Sequence, residues 1–174
     1  PSLDGGQHLE ALRDREARLV AAGGLGGPPV EPLILAADQF VARRPMADGT
    51  SGHTILAGYH WFGDWGRDTM ISLPGLTLAT GRPEIASGVL RTYASFADRG
   101  MLPNRFPDGG EEPEYNTVDA ALWFVEAVRA CLAATGDRQL VRDLYPLLEE
   151  IVSWHVRGTR FGIRVDPTDG LVTA

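Results

Sequence analysis

Eleven consecutive residues, Tyr59-His-Trp-Phe-Gly-Asp-Trp-Gly-Arg-Asp-Thr69, concentrate the side chains of this sequence that are best suited to binding. They include two tryptophans, a phenylalanine, a tyrosine, an arginine and two aspartates. Flat aromatic faces stack on sugar rings or bases, and an arginine beside an aspartate is suited to hydroxyls and charged groups. A loop that keeps this much aromatic surface indicates a binding site. The alternative is a buried aromatic corner closed by an arginine–aspartate ion pair.

Helices and loops alternate around this stretch. An apolar segment leads into it and a helical pattern leads out, which predicts a loop between a strand and a helix. Helices are predicted over residues 8–22, 31–43, 68–80, 83–99, 118–134 and 137–156. Asp68 and Asp137 are the predicted N-caps of two of them, and Gly100 and Gly158 lie just past the ends of two. Pro74 predicts a kink, and a break at Pro146 is left open. Short strands are predicted over residues 54–57, 163–165 and 171–173, and the Gly/Pro-rich residues 23–29 predict a linker or long loop. Antiparallel helix pairs with strands only in the connections predict an α/α architecture.

Composition and charge limit the kind of protein that this chain can be and the partners that it can bind. With 174 residues, 44% of them hydrophobic and 22% charged, the chain is large enough for a globular core. A net charge of −7 argues against nucleic acid as a partner. No apolar run is long enough for a membrane span, and no signal peptide is evident. Cys131, the only cysteine, sits in a helical pattern and fits a reducing compartment, so a cytoplasmic location is expected. The four histidines lack metal-ligand spacing, and neither a metal nor a cofactor is expected.

Several motifs together resemble a known family. The segment from Trp61 to Leu78 is similar to the core motif of glycogen-debranching enzymes, in their amylo-α-1,6-glucosidase module of the prokaryotic type. Further matching motifs follow in the same order, at residues 80–82, 102–108, 113–120, 144–146, 154–155 and 162–166. The resemblance covers roughly residues 31–174, which makes residues 1–30 an N-terminal helix with a linker.

The resemblance implies part of an (α/α)6 barrel, an all-α toroid whose site lies at one mouth. Such a barrel needs twelve helices and five or six are predicted here, so residues 31–174 are expected to form about its first half. The remainder of the same catalytic domain is then the expected protein partner. Family members place their general base in a later segment, and no glutamate of this sequence matches it.

Glycoside hydrolysis needs two carboxyl groups, one of them protonated. The candidates in the motif-bearing loops are Asp64, Asp68, Asp108, Glu111, Glu112, Glu114 and Asp119. By resemblance, Asp119 matches the general acid. The alternative is a helix-capping role beside Asn116, which would lower the pKa of Asp119, so an acid would need burial or a neighbouring carboxylate such as Asp64 or Asp68 to raise it again.

The remaining site residues follow from the same resemblance. Arg67 and Asp68 match a pair that binds glucose hydroxyls, although an internal ion pair at the helix start is an alternative. Trp61 and Trp65 are predicted to stack on sugar, and Trp123 faces either the cavity or the core. Further substrate-binding residues are predicted around the acid and at the rim of the site: Asp64, Asn104, Arg105, Glu114, Tyr115 and Asn116.

These observations predict an inverting glycosidase that removes α-1,6-linked glucose from glycogen or branched dextrins. Two alternatives remain open from the sequence. One is another exo-acting α/α-barrel glycosidase of the glucoamylase or trehalase kind. The other is a non-catalytic module that binds glucan through the same aromatic loop.

Overall fold

A computed structural model describes residues 5–24, 27–46, 49–106 and 112–174. Within these ranges the chain is mostly helical. The α-helices are α1 Gly5–Ala22, α2 Glu31–Gln39, α3 Gly66–Leu73, α4 Pro83–Ala94, α5 Ala120–Thr135 and α6 Arg138–Arg157. The strands are β1 Val41–Pro45, β2 Ser51–Gly58, β3 Phe62–Asp64, β4 Arg164–Val165 and β5 Val172–Thr173. A π-helical turn follows α3 over Pro74–Leu78, and a 3-10 turn lies at Arg160–Gly162.

A three-stranded antiparallel sheet is the main departure from the prediction of helices joined by strands in the connections. Its order is β1-β2-β3, with Val41 opposite Ile55 and Leu56 opposite Asp64. The predicted helix over residues 31–43 therefore ends at Gln39, and the predicted strand 54–57 is longer. The partly buried strand β2 pairs with β1 on one edge and with β3 on the other. The hydrogen bonds between β1 and β2 outweigh the local helix propensity of residues 41–43.

Helix α3 begins directly from this sheet. Trp65 has extended backbone angles (φ −118°, ψ 129°) and occupies the N-cap position, so the prediction that Asp68 caps the helix is wrong. Asp68 lies in the first turn instead, where a carboxylate is favoured by the helix dipole. The predicted interruption at Pro74 is confirmed as a change from α- to π-helical hydrogen bonding, which follows from the missing N–H of proline.

The other predicted helices are all present, and α4 differs most from its prediction. It begins at Pro83 as expected but ends at Ala94 rather than just before Gly100. Beyond Ala94 the backbone N–H groups of Phe96 and Ala97 donate to carbonyls only three residues back, and Asp98 pairs with Met101. Asp137 accepts hydrogen bonds from the backbone N–H groups of Gln139 and Leu140, which confirms the predicted cap of α6. Helix α6 runs through Pro146 without a break and ends at Gly158.

One hydrophobic core joins helices α3 to α6 and strand β2. Its largest buried side chains include Tyr93, Phe124, Leu73, Leu90 and Ile55. On α5 the buried face is formed by Ala120, Ala121, Phe124, Ala127, Val128 and Cys131. Cys131 and Val128 are therefore in the core, whereas Leu122 and Val125 on the same helix are exposed.

A buried hydroxyl pair fixes the start of α3 against the sheet and α4. The Thr69 hydroxyl donates to the carbonyl of Ile55 at 3.1 Å and lies 3.1 Å from the Tyr93 hydroxyl. Burial raises the pKa of the Tyr93 phenol, which stays protonated. The first turn of α3, which carries Arg67 and Asp68, therefore has a fixed position.

Helix α1 has no buried residue and packs against α2. Asp38 of α2 accepts hydrogen bonds from Arg15 at 2.5 Å and from Arg82 at 2.6 Å. This carboxylate links α1 to the start of α4. The division of the chain at residue 30 remains a prediction.

Candidate active site

The start of α3 is locked to the loop that follows α4. The N–H of Gly66 donates to the carbonyl of Asn104 at 2.8 Å, and Trp65 pairs with Arg105 in an isolated antiparallel bridge. A Cβ atom on residue 66 would lie 2.0 Å from the carbonyl oxygen of Pro103, so only glycine permits this approach. The contact brings Arg67 and Asp68 beside the loop that carries the remaining predicted residues.

That loop is itself held by a small hydrogen-bond network. Asn104 and Arg105 pair with Glu114 through backbone hydrogen bonds, and the Arg105 guanidinium donates to the Glu114 carboxylate at 2.8 Å. The buried Asn104 amide donates to the side chain of Asn116 at 3.0 Å. Tyr115 donates to the carbonyl of Phe96 at 2.7 Å. The structure thus brings together five residues that were predicted at the rim or beside the acid: Asn104, Arg105, Glu114, Tyr115 and Asn116.

Asp119 lies at the N-cap position of α5 and contacts Arg67. The guanidinium Nε of Arg67 donates to its carboxylate at 2.8 Å, and the Thr117 hydroxyl donates to the same oxygen at 2.6 Å. Arg67 also donates to the Thr117 hydroxyl at 3.1 Å. The carboxylate makes no capping bond to backbone amides, and Asn116 is not the N-cap that the capping alternative required.

The charge state of Asp119 differs from that expected of an acid. Partial burial raises its pKa, but the hydrogen bonds from Thr117 and Arg67 and the positive charge of Arg67 outweigh burial, so the pKa lies below its ordinary value. Neither Asp64 nor Asp68 is among the groups that shift this pKa, so the rise that an acid needs does not come from them here. The side chains of Arg67 and Asp119 are 47% and 33% exposed, so both remain open to solvent.

Two adjoining hollows flank Trp65. The first, of about 300 Å³, is lined by residues that include Phe62, Trp65, Arg67 and Asp68. The second, of about 250 Å³, is lined by Trp61, Phe62 and Trp65 together with Arg105 and Glu114. Trp61 is 78% exposed and stacks on His60. Aromatic faces beside charged hydrogen-bonding groups are what binding of a sugar requires.

Comparison with known proteins identifies the family of the chain. The family model described as amylo-alpha-1,6-glucosidase matches residues 35–174, which is most of the chain. The chain belongs to the amylo-α-1,6-glucosidase family. Every predicted site residue lies inside the matched range, whereas α1 lies before it.

A curated relative supports the family assignment. The chain is 43% identical over 108 residues to the glycogen debranching enzyme of Saccharomyces cerevisiae. The aligned region covers 58% of this chain and 7% of the relative. The chain therefore spans only a small part of the protein that it matches.

Asp64, which was predicted to bind substrate, lies in the interior of the protein. It is 3% exposed and accepts two hydrogen bonds from Arg44, at 2.5 and 2.6 Å, and one from the Thr54 hydroxyl at 2.9 Å. Arg44 in turn lies over the Phe106 ring, 4.2 Å from its centroid. Because Arg44 lies on β1, Thr54 on β2 and Asp64 on β3, the Asp64 carboxylate joins the three strands beneath the site.

The structure adds residues that the sequence did not single out. The Thr117 hydroxyl accepts a hydrogen bond from Arg67 and donates one to Asp119. Its position inside the Asn-Thr-Val-Asp motif was the sequence signal that could have indicated it. Phe62 lines both hollows beside Trp65, and the density of aromatic residues in its motif pointed to it. Trp123 is exposed rather than in the core. Of the remaining carboxylates, Glu112 is exposed, while Asp108 and Glu111 lie outside the described residues.

The described ranges contain neither a metal-binding cluster nor a membrane-spanning helix. There, no three His, Cys, Asp or Glu side chains are grouped so that they could hold a metal ion. None of the helices over the same residues is both long enough and apolar enough to cross a membrane.

Proposed function

We propose that this chain is part of a glycoside hydrolase that removes α-1,6-linked glucose from branch points of glycogen or branched dextrins. Membership of the amylo-α-1,6-glucosidase family supports the reaction class. The observation that carries the proposal is the position of Asp119, an accessible carboxylate that accepts a hydrogen bond from Arg67, which itself lines the hollow beside Phe62 and Trp65.

In the proposed reaction, Asp119 protonates the glycosidic oxygen as the bond to the departing chain breaks. A second carboxylate, outside these residues, activates water on the opposite face of the sugar with inversion. In inverting enzymes the two carboxyl groups are about 6.5–9.5 Å apart, which leaves room for that water. No cofactor takes part in this chemistry.

The low pKa of Asp119 must change before it can act as an acid. Ion pairs as exposed as Arg67–Asp119 contribute only about 0–1 kcal/mol, so a ligand can compete for the guanidinium. Arg67 and Asp68 are placed to bind hydroxyls of a glucose unit in the 300 Å³ hollow. If the sugar takes the Arg67 hydrogen bonds, Asp119 loses its main cationic partner and its pKa rises.

The other site residues have supporting roles in this proposal. Trp61 and Trp65 provide stacking surfaces for the glucan chain. Rim contacts come from Asn104, Arg105, Glu114, Tyr115 and Asn116. Asp64 holds the three strands together below the site rather than contacting sugar.

We place the helices in an (α/α)6 barrel, of which this chain contributes part. Exposed apolar side chains on α5 and α6 support this placement: Leu122, Val125, Tyr145, Val152 and Val156. The remainder of the catalytic domain would cover them. A cytoplasmic location, which fractionation of cells would test, is part of the same proposal.

Glucose release from a branched limit dextrin by the natural-length protein tests the function. Asp119→Asn should abolish release while dextrin binding persists. Asp137→Asn is a matched control, because Asp137 occupies the N-cap position of the next helix and asparagine also caps helices. Release unchanged in Asp119→Asn would remove Asp119 from the mechanism, and an inactive wild-type protein that binds dextrin would indicate a glucan-binding module.

A further inference from the structure

Phe161 has a backbone conformation that is unusual for its residue type. Its φ angle of 68° and ψ angle of 6° lie in the left-handed region, which is unfavourable for a bulky side chain. Its aromatic ring is 72% exposed. The ring is therefore held at the surface by a turn that a glycine or asparagine would form more readily.

Two sets of contacts fix this turn. Thr159 donates to the carbonyl of Ile163 from its backbone N–H at 2.8 Å and from its hydroxyl at 3.2 Å. The Arg160 guanidinium lies over the Tyr115 ring, 4.6 Å from its centroid, and forms an ion pair with Asp98. The turn is thus attached to the loop that leads to Asp119.

The Phe161 ring lines a third hollow, of about 390 Å³. Arg67, Asn116 and Thr117 also line it, and Ile163 adds to its apolar wall. Arg67 belongs to this hollow and to the 300 Å³ hollow described above, so it lies between the two. The volume is within the range of about 300–1,000 Å³ that is usual for small-ligand sites.

We propose that Phe161 is a stacking platform for a second glucose unit of the glucan, next to the unit bound by Arg67 and Asp68. An aromatic wall opposite amide, hydroxyl and guanidinium groups matches the apolar face and polar edge of a sugar ring. A preformed turn also holds the ring in place before the sugar binds, which lowers the entropy cost of binding. This inference rests on the proposed function, because it assigns the substrate of that site.

The test compares Phe161→Asn and Phe161→Tyr in the natural-length protein, using limit dextrin as substrate. Asparagine tolerates the left-handed backbone but removes the aromatic face, whereas tyrosine keeps that face. Loss of one stacking contact should raise KM by about 3- to 10-fold in Phe161→Asn. The value of kcat should change little, and Phe161→Tyr should resemble wild type. Leu9→Ala, which shortens an exposed apolar side chain on α1, outside the range matched by the family, is the control.

Other outcomes separate this inference from the proposed function. Glucose release by wild type with an unchanged KM in Phe161→Asn would overturn the role of Phe161 and leave the function standing. A lowered melting temperature with unchanged KM would show that protein, not sugar, covers the ring, and would also overturn it.

If wild type releases no glucose, the function fails and calorimetry with maltotetraose decides the inference. Weaker binding by Phe161→Asn alone would support the stacking platform, and equal binding or no binding would refute it. Phe161→Gly, which relieves the backbone strain, replaces Phe161→Asn in the same assays if the latter does not fold.

Discussion

Replacing Asp64 by alanine should destabilise the chain rather than remove a substrate contact. Asp64 accepts three hydrogen bonds, two of them from the Arg44 guanidinium, and is almost completely buried. Removing one partner of a buried ion pair costs about 3–5 kcal/mol, because the remaining charge is left without a counterion. Arg44 is 21% exposed and keeps its contact with the Phe106 ring, so the lower limit of about 3 kcal/mol is expected.

Thermal unfolding of the chain followed by circular dichroism measures this effect. A loss of about 3 kcal/mol corresponds to a melting temperature lower by about 6–12 °C for a chain of this size. Replacing both Arg44 and Asp64 by alanine should cost less than the sum of the single changes, because the two side chains interact. Glu126→Ala, which breaks an exposed ion pair with Arg129, should leave the melting temperature unchanged. A stable Asp64→Ala variant with a raised KM for dextrin would refute this reasoning and restore Asp64 as a sugar-binding residue.

Four further outcomes are expected. Gly66→Ala should destabilise the chain by about 1–3 kcal/mol in thermal unfolding, because its Cβ atom would lie 2.0 Å from the carbonyl oxygen of Pro103. Gly75→Ala, whose Cβ atom would meet open space, should be neutral in the same assay. Thr117→Val should raise the pKa of Asp119 in a carbon-detected NMR titration, and an unchanged titration would count against the Thr117 hydrogen bond. Because the pKa of Asp119 is depressed in the folded state, this carboxylate adds stability above pH 3.8, and that stability is lost as the pH falls through the folded-state pKa. The buried Cys131 thiol, whose pKa is raised by burial, should react with a thiol reagent only after denaturant is added; rapid reaction in buffer would contradict its core position. The isolated chain should self-associate in sedimentation velocity through the exposed apolar faces of α5 and α6, and a clean monomer would argue against a missing barrel partner.

Local signals in the sequence predicted the helices well where a specific chemical feature marks a boundary. Asp137 caps α6 and Gly158 ends it as expected, because both act through their own backbone neighbourhood. The end of α4 was missed because Gly100 marks a later turn, between Asp98 and Met101, whereas the helix already ends at Ala94. The strand β1 was missed because its formation depends on pairing with β2, which is a tertiary effect that no local pattern records.

In the candidate site, the sequence predicted which residues take part but not how their side chains contact one another. The motifs singled out Arg67 and Asp119, but their separation of 52 positions concealed that the two side chains bind each other. Both aspartates of the central motif were predicted to bind substrate. The structure separates them, since Asp64 points to Arg44 in the interior while Asp68 lines the accessible hollow. Phe161 had no distinguishing sequence pattern, because its importance comes from its backbone conformation.

The role of Asp119 as the general acid is tested most directly by a substrate whose leaving group needs no proton. Turnover of the natural-length protein on limit dextrin should be compared with turnover on α-glucosyl fluoride, for wild type and for Asp119→Asn. Loss of the acid should lower dextrin turnover by about 10²- to 10⁴-fold. Hydrolysis of the fluoride should be largely retained, because fluoride departs without protonation. Equal losses on both substrates, or no loss on dextrin, would contradict the assignment of Asp119 as the acid.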